Sequence, residues 1–257
     1  MNNTINTSIL TANKILKKSE ILANNLANVS TSGFKSQLRT ILNSPINDGK
    51  ITKSNSYSFL SNIPKYDFSN GFIRDTHDPL NLAIKNAGWF VVKDNKNKEL
   101  YTRNGKLEIN NLGQLTINQC KVIDKNGKFI YIPINCIPTF STDGTITITS
   151  YNNNKKHKQK IGKIKIININ VSKIKKNKNG FFQLEEKINK NKKDVFIKNK
   201  DAKIIQGALE DSNVNLTENL VEMIDNTRQF EMQMKMINLC NENEQKANSI
   251  LNTTNNY

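Results

Sequence analysis

The sequence predicts an α+β protein in which long N- and C-terminal helices flank a β-barrel or sandwich of mainly antiparallel strands. Three observations predict this class. Apolar residues recur in steps of four and three near both chain ends, alternate with polar residues in the middle, and are interrupted there by frequent glycine turns. We therefore expect four regions. An N-terminal helix and the segment after it occupy residues 1–35, and an extended linker follows over residues 36–80. A β-rich outer domain occupies residues 81–200, and a C-terminal helix occupies residues 201–257.

The first helix is predicted over about residues 2 to 28. Its apolar positions follow the a/d spacing of a coiled-coil seam, namely Ile5, Ile9, Ala12, Leu16, Ser19, Ala23 and Leu26. Residues 30–32 offer no apolar continuation, and Gly33 can adopt the left-handed conformation that caps helix C-termini. We therefore expect an abrupt end to the helix, with Gly33 as its cap.

Residues 36–66 are polar, rich in Ser and Asn, and without period, so we expect them to be extended or disordered in isolation. From Ile84 to about Val195 the pattern changes to short strands, in "WFVV", "LYTR", "KLEI", "QLTI", "KFIYIPI", "TITIT", "IGKIKIININV" and "GFFQLEEK". The Lys-rich stretch around His157 is predicted to be a polar loop with a solvated imidazole ring.

The C-terminal helix follows Gly207 and repeats the four-three spacing. Its apolar seam is predicted to contain Leu216, Leu220, Met223, Thr227, Phe230, Met234 and Ile237, and then to shift to Cys240, Ala247 and Leu251. Glu210 and Asp211 come just before this helix, where carboxylates stabilise the helix dipole. We therefore interpret the two carboxylates as helix-terminus residues without acid-base chemistry.

The charge balance raises nucleic acid as an alternative partner. The chain has 38 Lys and Arg against 22 Asp and Glu, a net charge of +16, and only 36% of its residues are apolar. All cations are Lys except Arg39, Arg74, Arg103 and Arg228. Since Arg provides the bidentate fork that phosphate and guanine recognition favours, we expect a solvated basic surface and no nucleic-acid partner.

No catalytic, cofactor or metal site is predicted. His77 and His157 are the only histidines, and neither has another His or a Cys at metal-ligand spacing. The three cysteines are widely separated, which indicates lone apolar side chains and not a disulfide framework. No apolar run reaches the roughly 18 residues of a membrane span, so no direct membrane insertion is expected. A hydrolase with a β core has no candidate nucleophile and base.

Three stretches carry a family resemblance. They are "ILANNLANVSTSGFKSQ" near the N-terminus, "DFSNGFIRDTHDPLNLAI" with the following "GWFVV" and "YTRNGKLEINNLGQLTI", and "GALEDSNVNLTENLVEMIDNTRQFEMQMKMI" near the C-terminus. Together they resemble the bacterial flagellar rod and hook proteins, in that family's order and over more than half of the chain. Within the family, the length and the "RQFEMQMK" stretch resemble a proximal-rod protein, with a distal-rod protein as the alternative.

The resemblance implies a non-enzymatic axial subunit of the flagellar basal-body rod, which spans the periplasm. It implies partners among other copies of the chain, other rod proteins and the flagellar type III export apparatus, with terminal helices that pack in the inner tube of the rod. The predicted assembly interface joins the helix seams to the residues that match the family signatures: Ile5, Ile9, Ala12, Leu16, Ala23, Asn24, Asn25, Leu26, Asn28, Gly33, Phe34, Asn213, Val214, Asn215, Leu220, Met223, Arg228, Phe230, Met234 and Ile237.

Overall fold

The structure, a computed structural model, describes residues 2–38, 65–133, 136–152, 155–170, 174–177, 179–184, 196–197 and 202–254. Over these residues two helices flank a series of eighteen strands. The α+β class, with terminal helices and a mainly antiparallel β middle domain, is confirmed. The chain forms two compact units: a helical unit from described residues within 1–29, 36–67 and 214–257, and a β unit from those within 30–35 and 68–213.

The helical unit contains helix α1, Asn2–Ala27, and helix α2, Leu216–Thr254. The last turn of α1 tightens, because the N–H groups of residues 28 and 29 bond the carbonyls of residues 25 and 26 at 3.2 and 3.3 Å. Gly33 does have a left-handed φ of 69°, but it lies well beyond Ala27, so the prediction that it caps α1 is wrong. Asn215 caps α2, since its Oδ1 accepts the N–H of Glu218 at 3.3 Å.

The strands are short. They are β1 (Gln37–Leu38), β2 (Lys65–Tyr66), β3 (Ile73–Asp75), β4 (Leu82–Ile84), β5 (Trp89–Lys93), β6 (Glu99–Thr102), β7 (Glu108–Ile109), β8 (Leu115–Ile117), β9 (Cys120–Val122), β10 (Pro138–Phe140), β11 (Thr145–Asn152), β12 (Lys155–Lys163), β13 (Ile166–Ile169), β14 (Ile174–Lys176), β15 (Phe182–Leu184), β16 (Phe196–Ile197), β17 (Ile204–Gln206) and β18 (Ala208–Glu210).

Strand pairing in the described residues is antiparallel, and it closes no barrel. A nine-stranded sheet runs β14-β15-β6-β5-β9-β8-β7, with β13 beside β5 and β16 beside β13. A second sheet has the order β10-β11-β12, and β17 pairs with β4 while β18 pairs with β3. The β1–β2 pair belongs to the helical unit. The prediction of a barrel or sandwich is therefore not confirmed at this level of detail.

The core of the β unit consists of aliphatic and aromatic side chains from these sheets. Its fully buried members include Leu82, Phe90, Val92, Leu115, Ile117, Val122 and Ile146. Beside them the rings of Phe68, Trp89 and Phe182 meet edge to face, with centroids 5.1 to 5.9 Å apart. Aromatic pairs in this arrangement add to the stabilisation that burial provides.

Three local predictions differ from the structure. The segment "KFIYIPI" forms isolated bridges, from Phe129 to Ile123 and from Tyr131 to Gln114, and no continuous strand over its described residues; Pro133 in this segment has no N–H for a ladder. His157 lies in β12 opposite Ser150, not in a loop, because pairing with β11 supplies backbone bonds that composition does not reveal. Strands β17 and β18 are too short for their alternation to be recognised.

Candidate assembly surface

The seam between the two helices uses one face of α1. This face carries Ser8, Ala12, Ile15, Ser19 and Leu22, which are buried apart from the half-buried Ser19. It packs on α2, and the Asn226 side chain donates from Nδ2 to the carbonyl oxygen of Ile15 at 2.9 Å and to Ser19 Oγ. The four-three spacing of a helix seam is therefore present, with small and polar residues at several positions.

The predicted α1 stripe lies one residue further along the chain than this seam. Ile9 is 45% exposed and Leu16 is 51% exposed, and Ala23 is exposed as well. One residue corresponds to roughly 100° around an α-helix, so this stripe borders the seam. Ala12 belongs to the seam as predicted, Leu26 is half-buried, and the side chain of Ile5 lies outside the described residues.

On α2 the predicted seam is only partly correct. Met223, Phe230 and Ile237 are half-buried at heptad spacing. The positions that complete their four-three pattern include Asn219 and Asn226, which are buried. The alternate predicted residues, Leu220 and Met234, are 46% and 40% exposed. A polar contribution to the α2 seam was therefore missed, because asparagine gives no signal in a pattern of apolar residues.

The buried asparagines are bonded to different degrees. Asn25 exchanges two hydrogen bonds with the backbone of Gln37 in β1, at 2.9 and 3.1 Å. Asn219 donates from Nδ2 to the Asn215 carbonyl at 2.7 Å. Asn226 is fully buried, and its Oδ1 has no donor among the described residues. Asn226 thus combines two hydrogen bonds across the seam with one buried oxygen that lacks a donor in the described part of the chain, and that lack costs free energy.

Further apolar side chains of α2 stay exposed on two other sides of the helix. Leu216, Leu220 and Met234 border the seam, while Val221, Met232, Met236 and Leu239 lie roughly opposite to it; all are at least 40% exposed. We call the Ile9 and Leu16 pair on α1, together with these two groups on α2, the exposed apolar stripes. Apolar residues therefore occupy more of each helix than the other helix covers.

The other predicted interface residues are divided between the two units. Asn24 and Arg228 are exposed on the helices and Asn28 is half-buried, whereas Gly33 and Phe34 are buried in the β unit and Asn213 and Val214 are half-buried. The signature residues thus belong to both units, and Gly33 and Phe34 are buried within the β unit.

A buried charge cluster in the β unit was also missed. Lys35 Nζ lies 2.7 Å from Glu210 Oε1, and Arg103 Nε lies 3.2 Å from Glu210 Oε2, with all three side chains at most 3% exposed. Glu210 Oε2 accepts no well-formed hydrogen bond from the described residues, so the Arg103 contact is an ion pair. Burial lowers the pKa of Arg103, and the charge of Glu210 opposes this effect. The predicted helix-terminus role of Glu210 is wrong, since it lies in β18.

Asp211 has a different environment from its neighbour Glu210. Its carboxylate accepts hydrogen bonds from the Arg74 guanidinium at 3.1 to 3.3 Å, and the two side chains are 31% and 54% exposed. Among the described residues, no group of three or more His, Cys, Asp and Glu could hold a metal ion. Neither described helix has the length and apolar character of a membrane span.

Three parts of the chain match known protein families. Residues 5–35 match the family described as "Flagella basal body rod protein", residues 83–151 match "Flagellar hook protein FlgE/F/G D1 domain", and residues 205–250 match "Flagellar basal body rod FlgEFG protein C-terminal". The chain is also 36% identical over 256 residues to "Flagellar basal-body rod protein FlgF" of Buchnera aphidicola subsp. Schizaphis graminum, with 99% of this chain and 100% of the relative covered. The chain belongs to the flagellar basal-body rod protein family.

Other relatives distinguish between members of the rod protein family. Identity to the FlgF protein of Salmonella typhimurium is 33% over 98% of this chain and 99% of the relative. Identity to the FlgG protein of the same Buchnera subspecies is 28%, over 90% of this chain and 92% of the relative. The prediction of a proximal-rod protein, which corresponds to FlgF, is confirmed. The alternative of a distal-rod protein, which corresponds to FlgG, is not favoured. The chain is a structural, non-enzymatic protein of the flagellar basal-body rod.

Proposed function

We propose that this rod protein is an axial subunit of the proximal rod that self-assembles through its terminal helices and transmits torque. The observation that carries the proposal is the set of exposed apolar stripes on α1 and α2. Support for the FlgF-like position within the rod comes from the greater identity to FlgF relatives than to FlgG relatives.

The stripes have the chemistry of helix–helix contacts. Ile9 and Leu16 are one heptad apart, which is the spacing that presents successive knobs to one neighbouring helix. A helix that is apolar on several sides is stable when neighbours cover those sides. The neighbours in this proposal are helices of other copies of the chain and of other rod proteins, packed in the manner of a coiled coil.

The proposal includes the properties that the family resemblance implies. The chain leaves the cell through the flagellar type III export apparatus, and its β unit faces outward in the rod. Nucleic acid and membrane lipid are not partners. An affinity for DNA that falls steeply with salt would instead favour the charge-driven alternative.

The test replaces stripe residues and leaves the seam intact. Leu16→Lys and Met234→Lys, separately and together, are expressed in cells that lack the native protein, and basal bodies are isolated and probed for the chain. A charge within an apolar interface is costly, so we expect incorporation to fall at least about 10-fold for the double variant. Asn13→Lys is the control, because Asn13 is an exposed polar residue of α1.

Folding of each variant is checked by the fluorescence of Trp89, the single tryptophan, which is buried in the β unit. Its urea midpoint is expected to be unchanged in all variants. Normal incorporation of the double variant would show that the stripes are not the assembly surface.

A further inference from the structure

A short segment that joins α1 to β1 is built into the β unit. Residues 30–35 belong to that unit, although the residues before and after them in the sequence belong to the helical unit. The N–H of Gly33 donates to the carbonyl of Glu210 at 2.7 Å, and the N–H of Asn213 donates to the carbonyl of Phe34 at 3.4 Å. We call residues 30–35 the strap.

Gly33 fits the strap closely against the chain that follows β6. A Cβ atom at this position would overlap the backbone of Arg103 and Asn104, and the φ of 69° is one that other residues rarely adopt. Gly127 provides the contrast: its φ is 79°, but a Cβ there would meet no atom within 4 Å. The close approach of two backbones, and not φ alone, therefore requires glycine at position 33.

The strap ends in two buried side chains. Phe34 is 8% exposed, and the ammonium group of Lys176 lies 4.0 Å from the centroid of its ring, a cation–π distance. Lys35 is 1% exposed and extends its Nζ to the Ser69 carbonyl at 2.6 Å and to Glu210 Oε1 at 2.7 Å. A lysine buried to this extent is stable only when its charge is paired.

Glu210 joins the strap to the rest of the β unit. Its Oε1 also accepts the N–H of Gly71 at 3.0 Å, and its Oε2 faces Arg103. Arg103 donates from Nη1 to the Asn86 carbonyl at 2.9 Å and from Nη2 to Asn70 Oδ1. One carboxylate thus stands between two buried cations from distant parts of the sequence, and its removal would leave both uncompensated.

We propose that residues 30–35 close the β unit, with Glu210 as the positioning residue, so that the strap opens only when the β unit itself unfolds. The N-terminal family signature then has two roles: its helical part belongs to the assembly surface, and its Gly33-Phe34-Lys35 part completes the β unit. The strap, which follows the C-terminal end of α1, stays bound to the segment that leads into α2, whether or not the two helices are packed. This inference does not depend on assembly.

The test uses trypsin on the full-length chain, because two of its cleavage sites lie within the cluster. Lys35 and Arg103 are both buried, so trypsin can cleave after either residue only when that site opens. The initial rate of cleavage at each site, measured by mass spectrometry, therefore reports how often the site opens. In the wild-type protein we expect equal, slow cleavage at both sites. Fast cleavage after Lys35 with a resistant Arg103 site would overturn the proposal, since the strap would then open on its own.

A matched pair of carboxamide variants tests the role of Glu210. Glu210→Gln is expected to accelerate cleavage at both sites about 100-fold or more, because two buried cations lose their counter-charge. Asp211→Asn removes the neighbouring exposed carboxylate and is expected to change cleavage less than about 3-fold. The proposal is equally supported if Glu210→Gln shows no cooperative unfolding transition in Trp89 fluorescence while Asp211→Asn unfolds like the wild-type protein. Equal behaviour of the two variants contradicts it.

A matched pair of glycine variants tests the strap by an independent measurement. Gly33→Ala and Gly127→Ala both place a Cβ at a left-handed φ, but only the first creates an overlap. We expect the urea midpoint of Trp89 fluorescence to be lower in Gly33→Ala than in Gly127→Ala by about 1 M or more. Equal midpoints would show that the β unit does not need the strap.

Discussion

The β unit and the helical unit use their apolar residues in opposite ways. In the β unit large apolar side chains such as Leu82 and Phe90 are fully buried, and its buried ions are paired. In the helical unit the seam contains Ser8, Asn219 and Asn226 while residues such as Leu16 remain exposed. The difference supports the proposal that the β unit is complete within one chain, whereas the helices gain stability from neighbours.

The largest expected effect on stability comes from replacing a buried leucine by alanine in each unit. Leu82 in the β core and Leu22 in the helix seam are both fully buried. Leu82→Ala is expected to cost about 3 to 5 kcal/mol and to lower the Trp89 urea midpoint. Leu22→Ala is expected to reduce helix content, measured by ellipticity at 222 nm, and to leave the Trp89 midpoint unchanged. A shift of that midpoint by Leu22→Ala would mean that the two units do not differ in this way.

A smaller effect, of opposite sign, is expected in the seam. Asn226→Leu removes a buried oxygen without a donor among the described residues and adds apolar contact, so the helix pair should gain about 1 kcal/mol. The measurement is the thermal melt of helix ellipticity in the dilute full chain. Asn241→Leu, at an exposed position of α2, is the control. A lower melting temperature for Asn226→Leu would show that Asn226 stabilises the pair.

The smallest effect concerns the surface of the β unit. Hydrogen bonds from the Thr145 side chain and backbone, with a lesser contribution from Lys163, lower the pKa of Asp143 to about 2. A lowered pKa in the folded state favours folding above the ordinary value of about 4, and this contribution is lost as the pH falls through about 2. An NMR titration of the carboxyl group should find the midpoint near pH 2. After Thr145→Ala the midpoint should rise but stay below the ordinary value, because the backbone N–H of residue 145 and the Lys163 ammonium group still lower the pKa. An ordinary midpoint in the wild-type protein would contradict these contacts.

The sequence predicted both helices and strands β5 to β8, β11, β13 and β15, because their periods extend over several residues. Segments "WFVV", "QLTI" and "TITIT" correspond to β5, β8 and β11. The start of β12 was missed because its Lys-rich residues show no apolar alternation. Strands β17 and β18 were missed because they pair with the distant strands β4 and β3. Apolar periodicity alone does not contain that information.

The predicted α1 stripe differs in register from the observed seam between α1 and α2. The apolar pattern identified Ile9 and Leu16, which are exposed, because serine at positions 8 and 19 of the observed seam gives no apolar signal. The predicted stripe is apolar, whereas the seam between α1 and α2 is partly polar. The Lys35–Glu210–Arg103 cluster joins three distant segments, and no local spacing could indicate it.

Hydrogen exchange measured by mass spectrometry on the full-length chain, in dilute solution and in isolated rods, tests the central claim most directly. We expect amides of α1 and α2 to exchange at least about 100-fold faster than those of β5 and β8 in dilute solution, and to become protected in the rod while the β strands change little. Helix amides that are as protected as β5 in the dilute chain would contradict the claim that the helices need neighbours.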